Sequence, residues 1–598
     1  MAQKLLYRLI AQETLHQLER YCLLIGLFFI PITNGLSSKV YFLDDPFHFF
    51  LYLGFYIIIF EIIKYRVSIP RKAVIFIVIF TIWQILCLIL GLYAFPYFDE
   101  MNPNQFSNLQ STINKWNTWG IPLGTIDAER LAFFTKGIKT IIVKSNRIFY
   151  ISFYVYHLYK NDYKRGFLDF RFIILLTSII MGLYSFIELT WLKFNSSLAQ
   201  VMLITINSFL FDSGIAYGWW PPLLCPQQLR SIFREPSYFG IASLFILPFL
   251  WSYIIEKKHI ILSGFLVTYF TLMIFATNSR TAIVLTLLSC FFLLLSVALI
   301  QKKKYAKSVL LIEILTIYAF GFNLIQFHSI SPSVAIYTLL PDFFIIIFFL
   351  FIVFFTIQLN KKTQKKLTMT TMKYIFAGII VLFICFFGLF VTKFPESKPL
   401  SLYYSGLEIS NQIQSYIKEN ILSVTGLSQR SNGARYAYFY AQCNIIKEHP
   451  IVGVGSGLTS AYTYNYLPAY SLNNPEVKGW NKVILEKGFY RSNYPALNKY
   501  TLLTAENGLP GLLMYLLPFI SSFITLFNTA QNRLMIKVNP QFVLLSISLL
   551  CLLAAGLSSA KLSELTGLLL GLMFCKLPFV KESPESSVSC TTAYKSSK

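Results

Sequence analysis

Apolar runs of roughly twenty residues recur from one end of this chain to the other,. A helix needs about that length to cross a ~30 Å hydrocarbon core. Of the 598 residues, 55% are hydrophobic and 13% charged, against about a quarter charged in soluble proteins. The runs predict an all-α polytopic membrane fold with about fourteen spans.

The runs place spans near 22–38, 47–64, 73–96, 137–158, 168–192, 237–256 and 259–277. Further spans fall near 281–300, 308–326, 337–358, 373–392, 509–527, 541–558 and 563–580. The basic residues test this layout. They cluster at Lys64/Arg66/Arg71/Lys72, Lys160/Lys164/Arg165 and Lys257/Lys258. The later clusters are Lys302–Lys304/Lys307, Lys361/Lys362/Lys365/Lys366 and Arg533/Lys537. Every cluster falls in an alternate loop, on the side of the N-terminus. The alternation predicts that both termini are cytoplasmic.

The net charge of +24 raises nucleic acid as a partner. The grouping of the charges into short inter-span clusters excludes it, because such clusters fix orientation in a bilayer. Residues 1–21 lack a short apolar core followed by a small-residue cleavage site, so the first span itself directs insertion,. The scattered cysteines show no metal spacing and no disulfide framework. Cys225 and Cys443 fall in outer loops, as two free thiols or one bridge.

The organisation predicted is residues 1–392 with eleven spans and shorter outer loops near 97–136 and 193–236. A large outer loop follows over 393–508, then three spans over 509–580 and a Ser-rich disordered tail over 581–598,. Within the large loop, Leu407–Leu422 and Ala434–Ile446 have helical periodicity and are placed to roof a cavity,.

Ionisable residues at or inside spans are costly and therefore candidates for function. Arg230, Arg234 and Glu235 precede Pro236 where the second outer loop re-enters the membrane. Pro236 suits the first helical turn. Arginines beside that helix's positive end make an anion site, or else an interfacial anchor. Arg280, in Thr277-Asn-Ser-Arg-Thr-Ala282, is the only charge between His259 and Lys302. It is either a phosphate clamp or a snorkelling anchor.

The large loop contributes Arg435 and His449-Pro-Ile-Val-Gly453-Val-Gly455-Ser-Gly457. The G-x-G-x-G spacing is not that of a dinucleotide site, and the three glycines predict a tight turn. The loop closes with Asn498 and with Glu506 before Gly508-Leu-Pro-Gly511. Glu506 is a candidate base or a partner for an arginine. Trp116, Trp119, Trp219, Trp220, Tyr462, Tyr464, Tyr466 and Tyr470 form either a glycan groove or an interfacial belt,. No P-loop, zinc signature or Ser/His/Asp order appears. Arginines at an outer face beside an apolar cavity suit an amphiphile with a pyrophosphate head.

At these residues the chain resembles the O-antigen polymerase and ligase superfamily of bacterial envelope glycosyltransferases. The likeness rests on Arg234–Ser237, Ser279–Ala282, the loop signature Arg435–Ile446 with His449–Ile451 and Gly453–Gly457, and the closing Asn498–Glu506 with Gly508–Gly511. The topology agrees along most of the chain. Ligase-like closing motifs carry His before the Asn; here that position is Leu497, which tilts the resemblance towards polymerases.

The resemblance implies a GT-C-like, metal-independent glycosyltransferase without a cofactor. The donor is an undecaprenyl-pyrophosphate-linked glycan, joined to a second lipid-linked repeat unit of an O-antigen, capsule or exopolysaccharide. A chain-length regulator is an implied partner. Fixed cations stabilise the pyrophosphate leaving group without a metal. That role falls to Arg280 and Arg234, then Arg435 and Arg230, with Asn498 and His449 as further binding residues. Glu235 or Glu506 deprotonates or orients the acceptor hydroxyl. The rivals are a ligase to lipid A core and a flippase of lipid-linked sugars.

Overall fold

The computed structural model describes residues 2–32, 45–65, 70–98, 103–210 (without 123 and 195–196), 228–327 (without 234, 259 and 301–302), 430–531 (without 492) and 540–575 (without 561). The expected spans at 337–358 and 373–392, the helix at Leu407–Leu422, and Arg234, Trp219, Trp220 and Cys225 lie outside the described residues.

The described residues are helical and contain no strand. The first half holds α1 (Ala2–Phe28), α2 (Pro46–Tyr65), α3 (Arg71–Tyr93), α4 (Pro103–Thr118) and α5 (Thr125–Thr140). A π-turn at Ile141–Ser145 joins α5 to α6 (Arg147–Tyr159), followed by α7 (Tyr163–Phe194) and α8 (Ser197–Leu210). Next come α9 (Pro236–Ile255), α10 (Ile260–Ala276), α11 (Arg280–Ile300) and α12 (Lys303–Phe327). The final group is α13 (Arg430–Glu448), α14 (Thr459–Tyr466), α15 (Pro475–Arg491), α16 (Lys499–Gln531), α17 (Pro540–Ala555) and α18 (Ser563–Phe574). Six of these helices are long and apolar enough to cross a membrane, and shorter apolar ones accompany them. The chain is a multi-pass membrane protein.

Most helices fall on the spans read from the apolar runs. Three differences have physical causes. Helix α1 begins at Ala2 and ends at Phe28, so the polar N-terminal stretch is helical too. The run at 137–158 is built from the end of α5, the π-turn and α6 rather than one continuous helix. The segments near 97–136 and 193–236, expected as outer loops, carry the helices α4, α5 and α8, of which α8 is apolar.

Helix α9 is the centre of the bundle. In its most apolar window 89% of residues are buried, against 22% in α3. A helix apolar on every face has no polar side to give to water and is enclosed by protein or lipid. Here the enclosure is α7, α10, α11, α12 and α17. Pro248 inside α9 lacks an N–H, which frees the Leu244 carbonyl four residues earlier,. The Ser548 hydroxyl of α17 donates to that oxygen at 2.7 Å. A neighbouring helix thereby supplies the hydrogen bond that the proline removes.

Helix α18 packs against α6 through Gly567 and Gly571, one turn apart on one face. A Cβ at these positions would lie 2.6 Å from the Ile148 carbonyl and 2.7 Å from that of Ser152. Small residues let two backbones approach where apolar lipid offers no driving force of its own. The Ser152 hydroxyl then reaches the Gly567 carbonyl at 2.9 Å.

Candidate functional site

The closing motif of the large loop is a broken helix. Gly508 in α16 has φ 67° and ψ 180°, so the helix stops and restarts there. The break and Pro510, which has no N–H, leave the carbonyls of Ala505, Glu506 and Asn507 without their usual partners. The glycine-rich segment takes two of them. Val454 N–H donates to the Ala505 carbonyl at 2.8 Å and Gly455 N–H to that of Glu506 at 3.0 Å. Trp83 of α3 donates to the Asn507 carbonyl at 3.0 Å. In return Leu509 N–H donates to the Pro450 carbonyl at 2.8 Å. Gly453, Gly455 and Gly457 all carry positive φ, as the tight-turn reading expects,.

Glu506 is buried in this joint. Its carboxylate accepts from the Ser456 hydroxyl at 3.3 Å and from Gly457 N–H at 3.2 Å. Lys136 and Lys144 both bear on it electrostatically. Tyr438 of α13 is 2% exposed, and burial with the nearby Glu506 charge holds its hydroxyl well above the ordinary range. His449 closes the end of α13 and stacks edge-on against Tyr462, with ring centroids 5.6 Å apart. Glu506 and the glycines therefore form the fastening between loop and membrane helices.

Asn498 caps α16. Its side-chain oxygen accepts from the N–H groups of Tyr500 at 2.9 Å and Thr501 at 3.1 Å. Removing such a cap costs about 1 kcal/mol. Asn498→Ala is therefore expected to lower the detergent-solubilised protein's thermal midpoint modestly, while Asn498→Asp, which keeps the acceptor, restores it.

The arginine motifs meet elsewhere, at the short turn between α17 and α18. Arg435 of α13 donates to the Ser558 carbonyl at 2.9 Å. The Thr281 hydroxyl donates to the Ser558 hydroxyl at 3.2 Å. Lys499 N–H donates to the Gly556 carbonyl at 2.8 Å, and Ala560 N–H to that of Ala496 at 3.0 Å. One turn therefore gathers the Ser-Arg-Thr turn, the arginine of the large loop and the start of α16.

The second outer loop joins the same assembly. Pro236 is the first residue of α9, as expected, and Arg280 the first of α11. A Cβ on Gly240 would overlap that of Ala282 and lie 3.4 Å from the Ser279 hydroxyl. The N-terminal ends of α9 and α11 are thus side by side, with no acidic residue in either first turn. Two adjacent positive helix ends favour an anion. Glu235 precedes α9 at half-buried exposure and accepts from the Ser237 hydroxyl at 3.1 Å. Arg230 is expected as part of an anion site. It is buried beside Glu188 of α7, with Nε 3.9 Å from the carboxylate. Glu188 also accepts from the backbone N–H groups of Arg230 at 3.3 Å and Ser231 at 2.8 Å.

Two further features escaped the sequence reading. Lys499 lines a crevice with Tyr515, Ser559 and Ser563, its ammonium 4.9 Å from the centre of the Tyr515 ring. Beside it, Glu564 at the start of α18 pairs with Arg147 at 2.6 Å and with His48 at 3.3 Å. His48 also holds Asp45 at 2.5 Å. The signal was present, because His48, Arg147 and Glu564 are ionisable residues inside expected spans. Glu564 lies hundreds of residues from Arg147 and His48 in sequence, so that pairing was not legible.

Residues 330–516 match the family model described as O-Antigen ligase. The matched stretch holds Arg435, His449, the glycine segment, Asn498, Glu506 and Gly508, but not Pro236, Arg280 or the turn between α17 and α18. No curated protein matches the chain.

Proposed function

We propose that this chain, whose residues 330–516 match the family model described as O-Antigen ligase, is a polysaccharide polymerase of the O-antigen polymerase and ligase superfamily. It joins undecaprenyl-pyrophosphate-linked repeat units at the outer face of the inner membrane. The observation that carries the reading is that Thr281, next to Arg280, and Arg435 both bond to Ser558 on one turn, while the start of α9 lies beside the start of α11. An anion held there sits among fixed positive groups that need no rearrangement as leaving-group charge develops.

In this reading Arg280, Arg435 and Lys499 hold the donor pyrophosphate; Arg234 is a further candidate from the sequence alone. Arg230 acts at one remove, fastened to Glu188 and fixing the strained approach to α9, where Ser231 has φ 55°. Glu235, the carboxylate at the mouth of α9, takes or orients the acceptor hydroxyl's proton. Glu506 positions the large loop. Tyr436, Phe439 and Tyr440, exposed on α13 next to Arg435, offer aromatic faces for sugar rings or the lipid tail. Leu497, in the position where ligase-like sequences have His, favours polymerisation over transfer to lipid A core.

The test is a gel of envelope glycans from a deletion strain complemented with the wild-type gene. Collapse of the ladder to single repeats still attached to their acceptor, with rescue by the gene, is the expected result. Full-length polymer stranded on its lipid carrier would instead identify a ligase. Repeat units trapped inside would identify a flippase.

A further inference from the structure

At the end of α2 and α6 next to Lys64 and Lys160, far from the arginine site, two histidines and two glutamates meet, with His16 at the rim and the other three buried. Along α6 the ten residues from Arg147 to His157 put about 15 Å between the two regions. His16 and Glu19 lie one turn apart on α1 and share a face,. His157 comes from α6 and Glu61 from α2. Glu19 is fully buried, Glu61 is 3% exposed and His157 is 6% exposed.

The geometry is that of a ligand set. One Glu19 oxygen lies 3.6 Å from His16 Nδ1 and 4.0 Å from His157 Nε2. His157 Nε2 is also 3.0 Å from a Glu61 oxygen. The donor atoms of His16, Glu19 and His157 all lie within 4.8 Å of one another. Ligands held about 2.1 Å from a tetrahedral ion sit about 3.4 Å apart, so these separations bracket the spacing an ion would set.

Neither Glu19 oxygen accepts a hydrogen bond, although both are shut off from solvent. A buried carboxylate with no donor is costly, and its Oε2 lies near both imidazoles. Two carboxylates and two imidazoles can be satisfied together by one divalent cation, with both histidines neutral. We propose that His16, Glu19, Glu61 and His157 form a binding site for a divalent transition-metal ion of the zinc class.

The donor chemistry fits that class, since imidazole selects zinc-like ions over magnesium or calcium. The approach is an open cavity lined by His16, His157, Arg20, Lys160, Asp162 and Arg165. Its cations are partly answered, because Arg20 is held by Asp169 through paired 2.6 Å contacts. A filled site with four protein ligands has no open position and acts as a clamp of α1 onto α2 and α6. The site lies outside the proposed sugar-transfer machinery, and its test does not depend on that proposal.

The experiment uses full-length protein without a histidine tag, purified in detergent and stripped with a chelator. Cobalt(II) is titrated and the visible ligand-field absorption recorded, followed by displacement with zinc(II). The expected result is about one cobalt per chain with the intense absorption of a tetrahedral site, lost on adding zinc. Zinc should also raise the thermal midpoint of the stripped wild type. His16→Ala, at the rim, and Glu19→Gln should each weaken cobalt binding by about tenfold or more. Wild-type protein that gives neither the absorption nor the midpoint shift overturns the proposal, whatever the variants do. Unchanged cobalt binding in folded Glu19→Gln also overturns it, since the ion would then sit elsewhere.

Discussion

Arg280→Ala and Arg435→Ala are each expected to lower polymer synthesis by about a hundredfold or more, at unchanged protein abundance. Arg280 opens α11 beside the start of α9, so its backbone stands where two positive helix ends coincide. It is also the only charged residue between His259 and Lys302. Arg435 is exposed, and one guanidinium nitrogen is used on the Ser558 carbonyl. The remaining donors of its planar fork are suited to phosphate oxygens. Arg435→Lys keeps the charge but loses the fork, so it should recover only part of the activity. A purely structural role predicts instead that activity follows the thermal midpoint of each variant. Quantifying glycan ladders against membrane protein amount separates the two.

Gly508→Val is expected to give the largest loss of folded protein among single changes in the loop–helix joint. At φ 67° and ψ 180° a β-branched residue is strained, and the added Cβ would overlap the Ile451 carbonyl. Backbone strain of this kind costs about 1–3 kcal/mol, and overpacking adds a similar amount. The substitution also threatens the four hydrogen bonds that fasten the large loop to α3 and α16. Thermal unfolding in detergent should show a midpoint drop well beyond that of Asn498→Ala, with polymer synthesis lost. A midpoint equal to wild type would show that the joint tolerates a side chain and that the reading of the break is wrong.

The joint also shows what the sequence carries and what it does not. The proline at the start of α9 and the turn of three glycines were legible because each depends on local backbone chemistry. The apolar helices were legible because lipid imposes a length and a composition. The partner of Arg230 was not, because Glu188 reads as one acid in an apolar run and meets the arginine only when α7 packs beside the loop. Glu506 reads as a candidate base or an arginine's partner, yet its carboxylate accepts from Ser456 and Gly457, a segment fifty residues earlier. Lys499 sat next to Asn498 in a motif already singled out. Its importance appears only with the 556–564 turn, which no local pattern marks.

The most direct measurement of the central claim uses the purified chain reconstituted in liposomes with undecaprenyl-pyrophosphate-linked repeat units. The account predicts lipid-linked dimers and longer oligomers, with one free undecaprenyl pyrophosphate released per bond formed, and none from Arg280→Ala. Repeat units that stay single, but are transferred when lipid A core is supplied, would contradict it.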